Sequence, residues 1–537
     1  MDKKIHLNVY YDPWINTIYC DEHKDVLSLR DCLVQATDIK SLYIKDAQYA
    51  LDQTVPYTLL TMLLARVFHP DHDEKFDMFD EGSFDVDKVD DYIRTCENQG
   101  ISFDVFDDNR PFLQDPDYKS RKKEDETSTV GILDPLMVSG NNTVFYHNKN
   151  YNTGGNIAVE NALYMTPPQF IASVARNHMY HNWSGGSCST GYTPSQPPLH
   201  CIIHGKNLFE TLIISIPPNA HGVPLWERQY DMTIPEIEST YRITLDYLSA
   251  AFLPTISVHF GEVTDGVVKN VYYSGNIYKG RESSKPKEFT SKFFVKENTG
   301  INLFLVKNQK QKDEIVPLKL DATTGIQTIM KPADIQTIMK TTDISIMKIL
   351  ITKDFNETGD YEFLQNVDFD RNVLNYVVYG GKLSEKSDEP QSMIMEISIP
   401  TILMKENGTD LKKIAIYAVE ATIKLAKYLL SLEQEIQNDK GESVKSSGAV
   451  WTIVRHFSEY ASDQLTQLHN GTWLYRIVND RTEKTVDEII EEINKEAMNT
   501  FYSYRTKYIL ESGKYASYLH VALYGKEKNN DAGRKAR

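Results

Sequence analysis

The sequence predicts an α+β protein: a large mixed N-terminal domain over residues 1–400 with a β-rich middle, then a C-terminal four-helix bundle over 401–525. Three observations predict it. Short apolar runs of helical and strand-like pattern alternate over the first half. Residues 250–400 hold six segments dense in β-branched and aromatic residues. Beyond about residue 405, apolar residues recur at helical spacing. The chain has 537 residues, 41% hydrophobic and 25% charged. That length allows about three domains and a core without disulfides. The composition excludes collagen-like, wholly disordered and disulfide-scaffold classes.

The elements follow in order. HLNVYY alternates like a strand and stops at Asp12-Pro13. Leu27 to Val34 reads as a short helix. Thr54-Val55-Pro56 opens a helix, TLLTMLLARVF, that ends before Pro70; its all-round apolar surface predicts burial. Asp85 to Asn98 is a second helix, ended by Gly100, and DDNRPFLQDP is a turn-rich loop around Phe112. Residues 117–132 read as a charged loop, and 138–156, rich in Asn and Gly, as a long one. Thr166-Pro167-Pro168-Gln169 is a helix start with Thr at N-cap, Pro at N1 and Gln at N3. The helix FIASVARNHMY runs into a second loop, HNWSGGSCSTGY. LHCIIHG and ETLIISIP read as a strand pair.

The β-rich middle contains TISVHF, VKNVYYSG, KFFVKE, INLFLVK, YVVYGG and MIMEISI. Within it lies a nine-residue tandem duplication, IQTIMKPAD then IQTIMKTTD. Three partial copies are too few for a solenoid. Ile414, Ala418, Ala421, Leu425, Leu429, Leu432 and Ile436 step by three and four, one stripe along a long helix. A second helix is predicted over Ala449 to His469. Thr485-Val486-Asp487-Glu488 is a capping box opening a third, ending near Gly513. A fourth spans Tyr515 to Tyr524, and residues 526–537 form a basic, disordered tail. Four such helices make a bundle.

The chemistry-bearing residues are sparse. Cys20, Cys32, Cys96, Cys188 and Cys201 show no C-x-x-C spacing, so zinc ribbons and dithiol motifs are unsupported, and the count suits a reducing cytoplasm. The N-terminus has no apolar signal region, and no run of about 18 apolar residues crosses a membrane. No phosphate-binding loop, H-E-x-x-H or G-x-S-x-G is present. Three histidine groups could hold a metal or serve catalysis: His69 with Asp71, His72 and Asp73; His178 with His181; and His200 with His204 around Cys201. Helix ends and a strand face account for them more simply, so structural roles are expected. The net charge of −17 opposes general coating by nucleic acid. The charge is uneven, however. Residues 65–130 carry 19 Asp+Glu against 9 Lys+Arg, and residues 265–353 carry 9 against 15. A local basic stretch in an acidic chain is a candidate polyanion contact. Phe145 and Tyr146 on the first loop are a candidate minor-groove wedge. Gly185 and Gly186 on the second allow close backbone approach to a sugar-phosphate edge.

The order of these features resembles the CasA family, the large subunit of the type I-E CRISPR Cascade complex. The carrying motifs are LNVYYDPWIN, SLRDCLVQA, DDNRPFLQ, SGNNTVFYHN, the T-P-x-Q helix start, the Gly-Gly loop and the pattern Gly205, Leu208, Thr211, Leu212, followed by the bundle. The resemblance implies a non-catalytic subunit, without cofactor or metal, that recognises a protospacer-adjacent motif in double-stranded DNA. It implies strand separation for guide pairing and recruitment of a helicase-nuclease. The implied partners are target DNA, the guide RNA 5′ end with the backbone subunits, and the small-subunit dimer on the bundle. The implied motif-reading residues are Phe145, Tyr146, His147, Gly185, Gly186, Lys285 and Lys287, with Gln365 or Asn366 as the strand-separating hairpin. The chain departs from the family pattern at Trp183 and Ser184, which flank the glycines, and it has no cysteine after Cys201. The alternatives are a metal-dependent hydrolase built on the histidines, and a purely structural scaffold.

Overall fold

A computed structural model describes residues 5–47, 49–121, 127–134, 164–180, 200–228, 243–245, 247–252, 256–274, 293–295, 305–307, 315–317, 361–367, 373–382, 391–400, 485–505 and 512–525, with separate helical positions between 413 and 435. The chain divides into two compact units. One comprises residues 1–320, 358–367 and 375–396; the other comprises 321–357, 368–374 and 397–537.

The first unit opens with a small antiparallel sheet, β1 (Ile15–Tyr19) between β2 (Lys24–Leu27) and β3 (Ile39–Tyr43), with α1 (Leu29–Val34) between the last two. The expected strand over HLNVYY is instead a turn. Asn8 Oδ1 accepts from the backbone N–H of Tyr10 and Tyr11, and Asp12 Oδ2 accepts from Asn8 N–H. Such local side-chain bonds compete with a ladder. The alternation survives as burial of Leu7 and Val9.

α2 (Val55–Phe68) follows a 3-10 turn and is buried continuously from Val55 to Ala65, as its apolar surface demands. Pro56 lies in its first turn, and His69 closes it in a left-handed conformation. α3 (His72–Glu81) had no counterpart in the sequence reading. Asp71 caps it: its side chain accepts from Glu74 N–H, and Glu74 returns the bond to Asp71 N–H. Of the two carboxylates in the candidate metal group, Asp71 therefore serves a capping box with Glu74, and Asp73 lies in the helix's first turn. Asp71→Ala should lower stability by about 1 kcal/mol, read as a shift in denaturant midpoint; an unchanged midpoint would remove the capping role. α4 (Val86–Asn98) is capped by Asp85 as expected.

Residues 117–132, expected as a loop, contain α5 (Tyr118–Arg121), β4 (Ser128–Thr129) and a 3-10 turn over Val130–Leu133. α6 (Pro167–Tyr180) and β5 (His200–His204) follow. ETLIISIP is not a strand. It lies in α7 (Leu208–Ser215), started by Asn207, whose side chain accepts from Glu210 N–H at 3.0 Å. All eight residues of α7 are buried. A helix without a polar face shows no 3.6-residue period, so its β-branched run imitates a strand.

The middle is rich in strands, as predicted: β6 (Ile243–Leu245), β7 (Ser257–Phe260), β8 (Val263–Thr264), β9 (Val267–Val268), β10 (Asn270–Ser274), β11 (Phe293–Val295), β12 (Leu305–Lys307), β13 (Ile315–Pro317), β14 (Val373–Lys382) and β15 (Gln391–Pro400), with a short α8 (Tyr247–Ala250) after β6. A short helix, α9 (Tyr361–Asn366), precedes β14. β10 joins β4 and β7 in one antiparallel sheet, and β14 lies between β15 and β5 in another. The IQTIMK duplication lies outside the described residues.

In the second unit, Ala421, Leu425, Leu429 and Leu432 are fully buried, which confirms the stripe over that stretch. α10 (Val486–Arg505) opens at the predicted box: Thr485 N–H donates to Glu488 Oε2 at 2.7 Å. It is described as far as Arg505, and α11 (Ser512–Tyr524) follows. The Tyr417 hydroxyl lies 2.9 Å from both Asn494 Oδ1 and the Leu523 carbonyl, which links three helical segments. The helix predicted over 449–469 and the tail over 526–537 lie outside the described residues.

Candidate nucleic-acid interface

Phe145, Tyr146, His147, Gly185, Gly186, Lys285 and Lys287 lie outside the described residues. The structure describes what holds the segments that carry them. In sequence, Phe145, Tyr146 and His147 lie between the described residues Asp134 and Tyr164, before α6, and Gly185 and Gly186 lie between Tyr180 of α6 and His200 of β5. The two candidate segments thus flank α6 along the chain. Fourteen residues at about 1.5 Å each separate the ends by roughly 20 Å.

α6 is fixed firmly. Gln169 Oε1 accepts from Thr166 N–H at 3.0 Å, which completes the predicted start. Met165 exchanges backbone hydrogen bonds with Val268 on β9. Arg176, the only Arg or Lys in FIASVARNHMY, is fully buried. Its Nε donates to Asp52 Oδ1 at 2.5 Å, another guanidinium nitrogen donates to the Leu133 carbonyl, and its Cζ lies 5.3 Å from the Tyr49 ring centre. Burial raises the Asp52 carboxyl above its usual range, opposed by the charge and hydrogen bond of Arg176. Arg176 therefore ties α6 to the 3-10 turn over Val130–Leu133. A lone cation in an apolar helix was the available sequence signal for it. His178 Nε2 donates to the Leu113 carbonyl at 2.9 Å, a structural role.

β5, next in sequence after Gly185 and Gly186 among the described strands, lies at the edge of its sheet among the described residues. β5 pairs antiparallel with β14, His200 opposite Tyr379 and His204 opposite Asn375. Burial pushes His200 down to about 3, so it is neutral near neutral pH, and raises the Cys201 thiol. His204 packs its ring 5.5 Å from that of Tyr57. His69 Nε2 lies 3.2 Å from His221 Nδ1, a hydrogen-bonded pair. Among the described residues no group of three or more His, Cys, Asp or Glu is arranged to hold a metal. His181 and Cys188 lie outside those residues.

Gln365 and Asn366, expected on a hairpin, end the helix α9 instead. Phe363, Leu364 and Val367 are buried while Asn366 is exposed. A six-residue helix stays put only by inserting side chains elsewhere.

Residues 8–326 match the family model of the CRISPR-associated protein Cse1. The chain belongs to that family. A search of curated proteins finds no match. Among solved structures, Thermobifida fusca Cse1 is similar at 13% identity and a TM-score of 0.64, covering 97% of this chain and 98% of that one. Thermus thermophilus CasA (Cse1) is similar at 14% identity and a TM-score of 0.56, covering 96% and 98%. A chain of a CRISPR RNA-guided surveillance complex is similar at 17% identity and a TM-score of 0.63, covering 97% and 99%. At these identities the likeness is one of fold.

Two motifs that suggested the Cse1 family have a physical reading here. Gly205 N–H donates to Thr211 Oγ1 at 2.9 Å, and Leu208 and Leu212 are buried, so the glycine pattern seats α7 against the end of β5. In DDNRPFLQ, Asp107 accepts from Asn109 and Arg110 N–H, Phe112 is buried beside Trp226, and Gln114 bridges the Val105 carbonyl and Phe260 N–H. Both motifs are fasteners of the frame.

Proposed function

We propose that the chain is the large, non-catalytic subunit of a type I-E RNA-guided surveillance complex. In this reading it recognises a protospacer-adjacent motif in double-stranded DNA, helps part the strands, and receives a helicase-nuclease. The likeness to a surveillance-complex chain over 97% of this sequence carries the reading. The division of labour is physical: protein reads a short duplex tag, and guide pairing reads the sequence. Phe145, Tyr146 and His147 would reach the minor groove and the guide 5′ end. Gly185 and Gly186 would let backbone approach the groove edge, and Lys285 and Lys287 would meet phosphate or base edges. The minor groove distinguishes mainly A·T from G·C, so several motif variants should be tolerated.

Residues 1–400 would form the recognition domain, and 401–525 a four-helix bundle holding the displaced strand and the small-subunit dimer. A tyrosine-lysine surface in the second unit supports that role. Tyr518 is exposed with its ring 6.1 Å from Tyr515 and 6.3 Å from Tyr428, and Lys514 and Lys427 lie over the latter two rings. Stacking rings beside cations suit single-stranded nucleic acid. No helix among the described residues is long and apolar enough to cross a membrane, and we place the complex in the cytoplasm.

The test is a gel shift with the reconstituted guide complex, with and without this chain, over duplexes randomised beside one matched target. The expected result is flank-dependent binding, tenfold or more between best and worst flanks, only when the chain is present. Phe145→Ala with Gly186→Asp should abolish the preference while the subunit still assembles. Flank-independent binding with the native chain leaves the scaffold role, and loss of activity to chelators would revive the hydrolase.

A further inference from the structure

We propose that Lys75 is a positioning residue that holds α9, and so Asn366 at its end, in the orientation needed to part DNA strands. The inference rests on the reading of Gln365 and Asn366 as the strand-separating element. α9 has six residues, too few to be stable on its own. Phe363, which anchors it, is fully buried. Its ring packs against those of Phe76 and Phe79, with centres 5.0 and 5.9 Å away. The Lys75 Nζ lies 4.3 Å from the centre of the same ring.

Lys75 is itself fully buried, on an α3 whose other residues are half-buried or exposed. An ammonium is costly to bury without partners. Two of its partners are described. Nζ lies 3.5 Å from the Ile214 carbonyl, in the last turn of α7. Carbonyls there lack partners within the helix and carry the negative end of its dipole. The other partner is the electron-rich face of Phe363. An apolar residue at 75 would fill the same space and leave the ring free to tilt. The cation gives the contact a direction, so three segments remote in sequence, 75, 214 and 363, meet at one charge. Asn366 is exposed two residues beyond the buried Leu364, so a tilt of Phe363 displaces it directly.

The experiment uses the full chain in the guide complex. A fluorescent adenine analogue beside the motif reports strand opening, and binding is compared on a closed duplex and on one pre-opened by mismatches. Lys75→Met should slow opening of the closed duplex tenfold or more, while binding to the pre-opened duplex and assembly change less than twofold. Lys75→Arg, which keeps a cation over the ring, should recover most of the rate. Phe363→Leu, which keeps bulk but removes the ring face, should behave as Lys75→Met and serves if that variant does not fold. Native opening by Lys75→Met alongside slow opening by Gln365→Ala/Asn366→Ala overturns the positioning role and leaves the wedge intact. Native opening by the Gln365→Ala/Asn366→Ala pair overturns both. Equal loss on closed and pre-opened duplexes makes Lys75 a folding residue and also overturns the proposal.

Discussion

Arg176→Met should cost about 3–5 kcal/mol of stability near neutral pH, because it leaves the buried Asp52 carboxylate without its cation. The side chain is fully buried and Asp52 nearly so, which leaves no water to replace the lost charge. The effect should depend on pH, and its sign follows from Asp52. Burial already raises that carboxyl above its unfolded value of 3.8, against the opposing pull of Arg176. A group raised on folding contributes stability below its unfolded pKa and loses it as pH rises through the folded one. Without Arg176 the carboxyl moves further up. The deficit of the variant should therefore be largest at pH 7 and shrink as the pH falls toward 4. Adding Asp52→Asn should restore much of it, since a neutral amide is less costly to bury. Urea titrations at pH 7 and pH 5 measure this, and a deficit below about 1 kcal/mol at both would remove the pair from the frame. Because the same guanidinium holds the Leu133 carbonyl, the variant should also loosen the 3-10 turn over Val130–Leu133, seen as faster amide exchange at 130–134.

Gly205→Ala is the second large effect. A Cβ there would lie 2.2 Å from Glu210 Cβ, 2.7 Å from Thr211 N and 2.9 Å from Glu210 C. Two of these neighbours are backbone of α7, which is buried throughout and has nowhere to move. The cost should reach about 3 kcal/mol, the upper end for an overpacked core. Opening the gap would also stretch the Gly205–Thr211 and Lys206–Glu210 hydrogen bonds. Thr211→Ser keeps the hydroxyl and serves as a control, with an expected loss near that of one buried methyl. Equal midpoints for Gly205→Ala and the native chain would show that the motif glycine is replaceable.

What could be read from sequence was local. α2 announced itself by proline near its start and an unbroken apolar surface, and the structure buries it as that surface requires. The Thr166 to Gln169 start and the strands of the middle followed from capping and from β-branched density. Failures came where two local patterns share one composition. α7 has no polar face to give it a period. HLNVYY alternates, yet Asn8 and Asp12 satisfy its backbone in a turn. The Asp71 to Glu74 box was hidden among histidines that suggested a metal. For the candidate site, the ordered motifs were enough to reach the family. Its supports were not legible, because they are pairs distant along the chain: Arg176 with Asp52, and Lys75 with Phe363 and Ile214. Spacing carries no information about such meetings.

The buried helix between the two loops also fixes a length. Its roughly 20 Å corresponds to about six base steps at 3.4 Å each. Loops can gain or lose residues cheaply, but this rod cannot. One inserted residue would advance its far end by about 1.5 Å and swing it through about 100°. An insertion would carry Arg176 away from Asp52 and the Leu133 carbonyl, so the helix keeps its length and facing however the sequences on either side of it drift.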